Sequence, residues 1–129
     1  QSADVATVDR PIQLSVSGLP ERVDGEAVRS AVGKVMTGNH LTLGNGGDSL
    51  AVELHYSAAP GKTSTRAKWD VTVQDTAGKR LLTQSYLSYL PDDVTTRSVV
   101  ALAEAATLSV MDAVRRLAAA PETAAVEKQ

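Results

Sequence analysis

His40 and His55 are the only imidazoles in the chain, and His55 stands two residues after Glu53. On a β-strand, residues two apart share one face, so Glu53 and His55 are side by side, and Asp70 of a second strand falls on the same sheet face. Two carboxylates and an imidazole are groups that general acid–base chemistry or a small metal site would use. The other requirements are missing. The sequence has no H-E-x-x-H spacing, no cysteine for a thiolate site and no G-x-S-x-G nucleophile turn. A solvated polar strand face accounts for Glu53, His55 and Asp70 without chemistry, so the sequence assigns no catalytic residue, no metal ligand and no cofactor.

Two glycine-bearing stretches invite a phosphate-binding reading. Gly61-Lys62-Thr63 resembles the end of a phosphate loop, but Tyr56 occupies the position of the required first glycine. A strand follows it, where a phosphate loop needs a helix N-terminus. Gly44-Asn45-Gly46-Gly47-Asp48 could cradle an anion with backbone N–H groups, yet it too leads into a strand. Both read as turns.

These groups must be positioned by a core of unusual make-up. The chain has 129 residues, enough for one domain, and 43% of them are hydrophobic. There is no Phe, and Tyr56, Trp69, Tyr86 and Tyr89 are the whole aromatic set. Val, Leu and Ala must therefore build the interior. Thirteen basic residues against 15 acidic ones give a net charge of −2, with no basic stripe to suggest a nucleic-acid partner. No apolar run approaches the ~20 residues of a membrane-spanning helix.

Periodicity predicts the elements. Ile12, Leu14 and Val16 alternate with polar residues as in a strand ended by Gly18 and Pro20. Asp24 is placed to cap a helix whose apolar positions are Val28, Ala31, Val32, Val35 and Met36, with Gly38 at its C-terminal end. Gly33 within it either weakens the helix by ~1 kcal/mol or marks a close approach to the sheet. Residues 37–49 read as loop, with His40, Leu41 and Leu43 as a short extended piece. Leu50–Tyr56 and Ala67–Gln74 are cleanly alternating strands, and Asp75-Thr76-Ala77-Gly78 is hairpin chemistry leading into a fourth strand from Arg80 to Tyr89. The alternation of that strand is blurred. After Pro91, Asp92 or Asp93 caps a long helix bearing Val99, Leu102, Ala103, Ala106, Val110, Ala113, Val114 and Leu117 on one stripe, with Asp112 paired to Arg115 or Arg116. From Ala118 onward the composition reads as a tail.

The predicted organisation is a lead-in over 1–10, a single domain over 11–118 and a flexible tail over 119–129. The order β-α-β-β-β-α predicts an α/β (α+β) two-layer sandwich: a mostly antiparallel four-stranded sheet with two helices on one face. The other sheet face, bearing Glu53, His55, Lys68, Asp70, Thr72 and Gln74, is left polar and open to a partner. Tyr86 and Tyr89 are three apart, so they point to opposite faces, and one is exposed near the sheet end as an anchor. The expected partner-binding residues are therefore Glu53, His55, Lys68, Asp70, Tyr86 and Tyr89.

The segment AKWDVTVQDTAGKRLLTQSYL, then a Pro-Asp break, then VVALAEAATLSVMDAVRRLAA, resembles the ABC-type transport auxiliary lipoproteins of bacteria, the PqiC-like group. The element order is also similar to that of the lipopolysaccharide-assembly lipoprotein LptE, and the hairpin-plus-helix part to the TolB N-terminal domain and the Lpo-type activators of peptidoglycan synthases. The resemblance implies a non-enzymatic, periplasm-facing lipoprotein held at the outer membrane by an N-terminal lipid, with Gln1 following the lipidated cysteine. It implies a protein partner in the envelope, such as an ABC-type transport or assembly complex, and membrane contact only through the lipid. The alternative within the same compartment is a regulator of a peptidoglycan synthase. An enzyme using Glu53, His55 and Asp70 is the third reading.

Overall fold

The structure is a computed structural model that describes residues 10–44, 48–91 and 94–127, with side chains through residue 119. The elements follow the order β1 (Ile12–Ser17), α1 (Gly25–Gly38), β2 (Leu50–Pro60), β3 (Ser64–Gln74), β4 (Arg80–Pro91) and α2 (Thr96–Glu127). The four strands form one sheet in the order β1-β2-β3-β4. β1 runs parallel to β2, and the other two pairings are antiparallel. This is the α+β, two-layer arrangement that the alternating strand faces and the two apolar helix stripes require. α1 lies over β1, α2 lies over β3 and β4, and the two helices pack against each other.

The core is the slim-residue interior that the composition dictates. Ile12, Leu50, Val52, Leu54, Val71 and Val73 from the sheet meet Val28, Val32 and Met36 of α1 and Val99, Ala103, Ala106 and Val114 of α2, all buried. Trp69 is fully buried and packs edge-to-face on Tyr56, its cross-strand partner, at 5.2 Å between ring centroids and 61° between planes. With no Phe present, this aromatic pair fills volume that several smaller side chains would otherwise have to supply. Trp69 Nε1 and the Tyr56 hydroxyl are both buried without a hydrogen-bond partner in the described structure. Burial raises the Tyr56 phenol above its ordinary pKa, with nearby Arg22 acting in the opposite direction.

The caps follow the sequence in one helix and depart from it in the other. Asp24 caps α1, its carboxylate accepting from the N–H groups of Glu26 and Ala27. At the other end Gly38 belongs to the last helical turn, and the left-handed residue is His40 with φ 72°. The N-cap of α2 is Thr95: its carbonyl accepts the first helical bond from Val99, and its hydroxyl and that of Ser98 accept each other's backbone N–H. Asp92 and Asp93, expected as caps, lie outside the described residues. The helical backbone of α2 runs to Glu127, past the tail expected from Ala118. Ala and Glu are strong helix formers, so loss of the apolar stripe there did not mean loss of helix.

Two local features correct the sequence reading. Gly33 is buried, and a Cβ on it would meet Leu43 Cδ1 at 3.0 Å. The close approach is therefore to the loop after α1, where Leu43 bridges to Ile12, and not to the sheet. In β4, Val73 pairs with Leu82 while Gln74 pairs with Arg80, leaving Leu81 as an inserted residue. That bulge shifts the phase of the strand, and it is why the alternation looked blurred.

Candidate docking face

The pairings place the predicted residues in transverse rows on the sheet face opposite the helices. Ser15, Glu53, Thr72 and Thr83 form one row, and Ser17, His55, Asp70 and Ser85 the next. Ser57, Lys68 and Leu87 follow, then Ala59, Arg66 and Tyr89. Glu53, His55, Lys68 and Asp70 thus share the open face, as expected. Tyr86 does not: it is the partner of Trp69, half-buried against the core. Tyr89 is on the open face and 66% exposed, so it is the tyrosine available to a partner.

Glu53 and His55 are joined by a residue that their own strand does not contain. Ser17 Oγ donates to Glu53 Oε2 at 3.1 Å and lies 2.9 Å from His55 Nδ1. Sequence reasoning missed Ser17 because only the parallel register between β1 and β2 brings it opposite His55. Asp70, although paired with His55, turns the other way: it accepts from the Ser85 hydroxyl and forms an ion pair with Lys68 at 3.7 Å. The expected three-residue cluster is thus two separate polar groups. In a nucleophilic serine site the imidazole takes the hydroxyl proton and the carboxylate orients the imidazole. Here the carboxylate takes the hydroxyl itself, and Glu53 and His55 are exposed to water. Among the described residues no three His, Cys, Asp or Glu side chains converge as a metal site. No helix among the described residues is long and apolar enough to cross a membrane.

The far end of the face has a different character. Leu87 is 42% exposed, and Arg66 and Lys68 stand beside it, with Ser57, Ala58 and Ala59 completing a shallow hollow of about 220 Å³. No carboxylate among the described residues pairs with Arg66. The result is a basic, partly apolar end containing Arg66, Leu87 and Tyr89, next to a polar middle whose charges are already satisfied. Arg66 and Leu87 are the contributors that single-strand reading could not find, because they are unremarkable until register sets them beside Lys68 and Tyr89.

A second, larger hollow of about 470 Å³ lies between α1 and the outer edge of β1. Ile12, Leu14, Gly33 and Leu43 line its apolar part, and Glu26, Arg29 and Lys34 are at its rim. Arg29 Nη2 donates to the Leu14 carbonyl across it at 3.3 Å. Of the two glycine-bearing stretches, one is described in full. Gly61–Thr63 is the turn between β2 and β3, closed by the Gly61 N–H on the Ser64 carbonyl. Of the other stretch, residues 45–47 lie outside the described residues.

These features define a small α+β domain with one helix-covered sheet face and one open face ending in exposed apolar and basic side chains. No protein-family model matches the chain, and no curated protein sequence matches it. Among solved structures it is similar to a minor lipoprotein from Acinetobacter baumannii, at 15% identity over 84% of this chain and 93% of that one, with a TM-score of 0.42. It is also similar to PelC of Paraburkholderia phytofirmans, described as a dodecamer, at 10% identity over 81% and 90% of the two chains, with a TM-score of 0.48. A variant of that PelC gives 11% identity and a TM-score of 0.47.

Proposed function

We propose that this chain is a non-catalytic accessory lipoprotein of the bacterial envelope that docks onto a transport or outer-membrane assembly machine. The observation that carries the docking role is the open sheet end, where Tyr89 and Leu87 stand exposed beside Arg66, which pairs with no carboxylate among the described residues. An exposed aromatic next to a guanidinium is the composition of an interface anchor. The envelope setting rests on the resemblance of the strand-hairpin-helix segment to the transport auxiliary lipoproteins. On this reading the domain faces the periplasm, is held at the outer membrane by an N-terminal lipid, and offers the Tyr89 end of its sheet to a protein partner with an acidic, apolar-centred surface. Glu53, His55 and Asp70 then serve as the solvated part of the same face.

In-cell cross-linking from position 57, in the hollow beside Arg66 and Leu87, tests the reading. The expected products are components of an envelope transport or assembly complex, lost when Arg66→Glu and Tyr89→Ala are introduced. Products containing a peptidoglycan synthase would replace the transport assignment by the regulatory one. Turnover of a substrate abolished by His55→Ala would overturn the non-catalytic reading.

A further inference from the structure

The two edges of the sheet are treated differently. At the β1 edge, Ile12 N–H donates to the Thr42 carbonyl and Ile12 carbonyl accepts from Gly44 N–H, while the Arg29 guanidinium occupies the Leu14 carbonyl. The loop after α1 and one arginine thus block the first half of that edge. At the β4 edge nothing comparable is present among the described residues. β4 spans Arg80–Pro91, and from Leu81 to Leu90 it contains no charged residue and no proline. Its bulge is confined to the start, leaving the pairing from Leu82 to Pro91 regular. Soluble proteins blunt long edge strands with lysines, prolines, bulges or a covering loop, because an open row of N–H and C=O groups recruits other strands. A long, regular, uncharged edge beside a partly blocked one is a pairing surface.

We propose that the β4 edge pairs antiparallel with β4 of a second copy of this chain, joining the two sheets into one. Three observations favour a second copy as the occupant. The stretch from Leu82 to Leu90 that would pair is uncharged, so two copies meet without like-charge repulsion. A two-fold axis perpendicular to the sheet at Tyr86 sets each copy's core-facing residues, Leu82, Gln84, Tyr86, Ser88 and Leu90, opposite core-facing residues of the other, so both helix layers stay on one side. Among the described residues each chain has one open edge and one blocked over its first half, so the pairing ends at two copies and does not propagate into a fibre. This contact uses the strand edge, whereas the docking role above uses the sheet face, and each can fail alone.

The experiment is sedimentation velocity on the full chain from micromolar to near-millimolar concentration, with hydrogen exchange on the β4 amides. The expected result is a monomer–dimer equilibrium, with protection of Leu82–Leu90 amides that rises with concentration. Gln84→Lys and Thr83→Lys place charges on either face of the edge strand. Each is expected to weaken dimerisation by at least about tenfold while leaving the circular dichroism of the monomer intact. Arg66→Glu, on the docking face, leaves the dimer unchanged. A chain that stays monomeric throughout, a dimer indifferent to both lysines, or growth beyond two copies would overturn the inference.

Discussion

Gly18 shows how one residue sets where β1 can end. Its φ is +84°, and a Cβ there would lie 2.2 Å from the Tyr56 carbonyl oxygen and 2.9 Å from His55 Cε1. Backbone cannot retreat as a flexible side chain can, so Gly18→Ala is expected to destabilise by about 2–4 kcal/mol, read from urea unfolding. It should also disturb the Ser17–His55 contact, visible in the imidazole resonances. Tyr56, on the other side of that contact, carries a buried hydroxyl with no partner. Tyr56→Phe is therefore expected to hold stability or raise it by up to about 1 kcal/mol. The same residue gives a pH dependence. Because burial raises its pKa in the folded state, the stability it contributes is intact below the unfolded value of about 10 and declines as pH climbs from there through the folded value. Alkaline unfolding of Tyr56→Phe should lack that part of the decline. Neither residue's role was visible in sequence: Gly18 looked like a strand stop, and Tyr56 like one more alternating position.

At the scale of elements, the strands and helices were legible wherever one period ran undisturbed against one core. β1, β2, β3 and both helix stripes have their buried positions where alternation or helical spacing placed them. β4 was less legible because Leu81 breaks its phase and because its core side, at the sheet edge, contains Gln84 and Ser88. The cap of α2 was misplaced by three residues or so because Asp92, Asp93, Thr95 and Thr96 are all competent caps, and sequence alone does not say which carbonyl takes the first helical bond. Thr95→Ala is expected to cost about 1 kcal/mol, measured by thermal unfolding, with Ser98→Ala costing part of the same amount. Gly33→Ala is predicted to act in the other direction. Helix propensity favours Ala by about 1 kcal/mol, and the atom it meets is the end of the half-exposed Leu43 side chain, which can swing away. A net gain of a few tenths of a kcal/mol is expected, together with a narrower hollow between α1 and β1. A loss of more than about 1 kcal/mol would mean that Leu43 is held in place more firmly than its exposure suggests.

For the whole molecule, one contiguous core joins both helices to all four strands. A domain of this size with one core unfolds as a unit. The single tryptophan is a convenient reporter, since Trp69 is fully buried where β2, β3 and β4 meet. Its fluorescence and the far-ultraviolet circular dichroism are expected to report one coincident urea transition. A separate early phase confined to helicity would instead show that α2 melts independently of the sheet. The candidate site was only half legible at this scale. Composition and alternation were enough to say that one sheet face is polar, but the division of that face into a satisfied middle and a basic, apolar end depends on register. Register is a property of pairs of strands, fixed by turns and bulges, and Ser17, Arg66, Ser85 and Leu87 acquire meaning only through it.

The inserted Leu81 gives the chain slack in length. Side chains on a strand keep their face only while the count of residues back to the partner stays even or odd as before, so removing one residue elsewhere in β4 would turn the side chains on one side of the deletion to the opposite face. Removing Leu81 itself does not, because Arg80 and Leu82 already sit opposite adjacent residues of β3. Within this strand, the bulge is where a deletion can be absorbed without exchanging the inside of the protein for its outside.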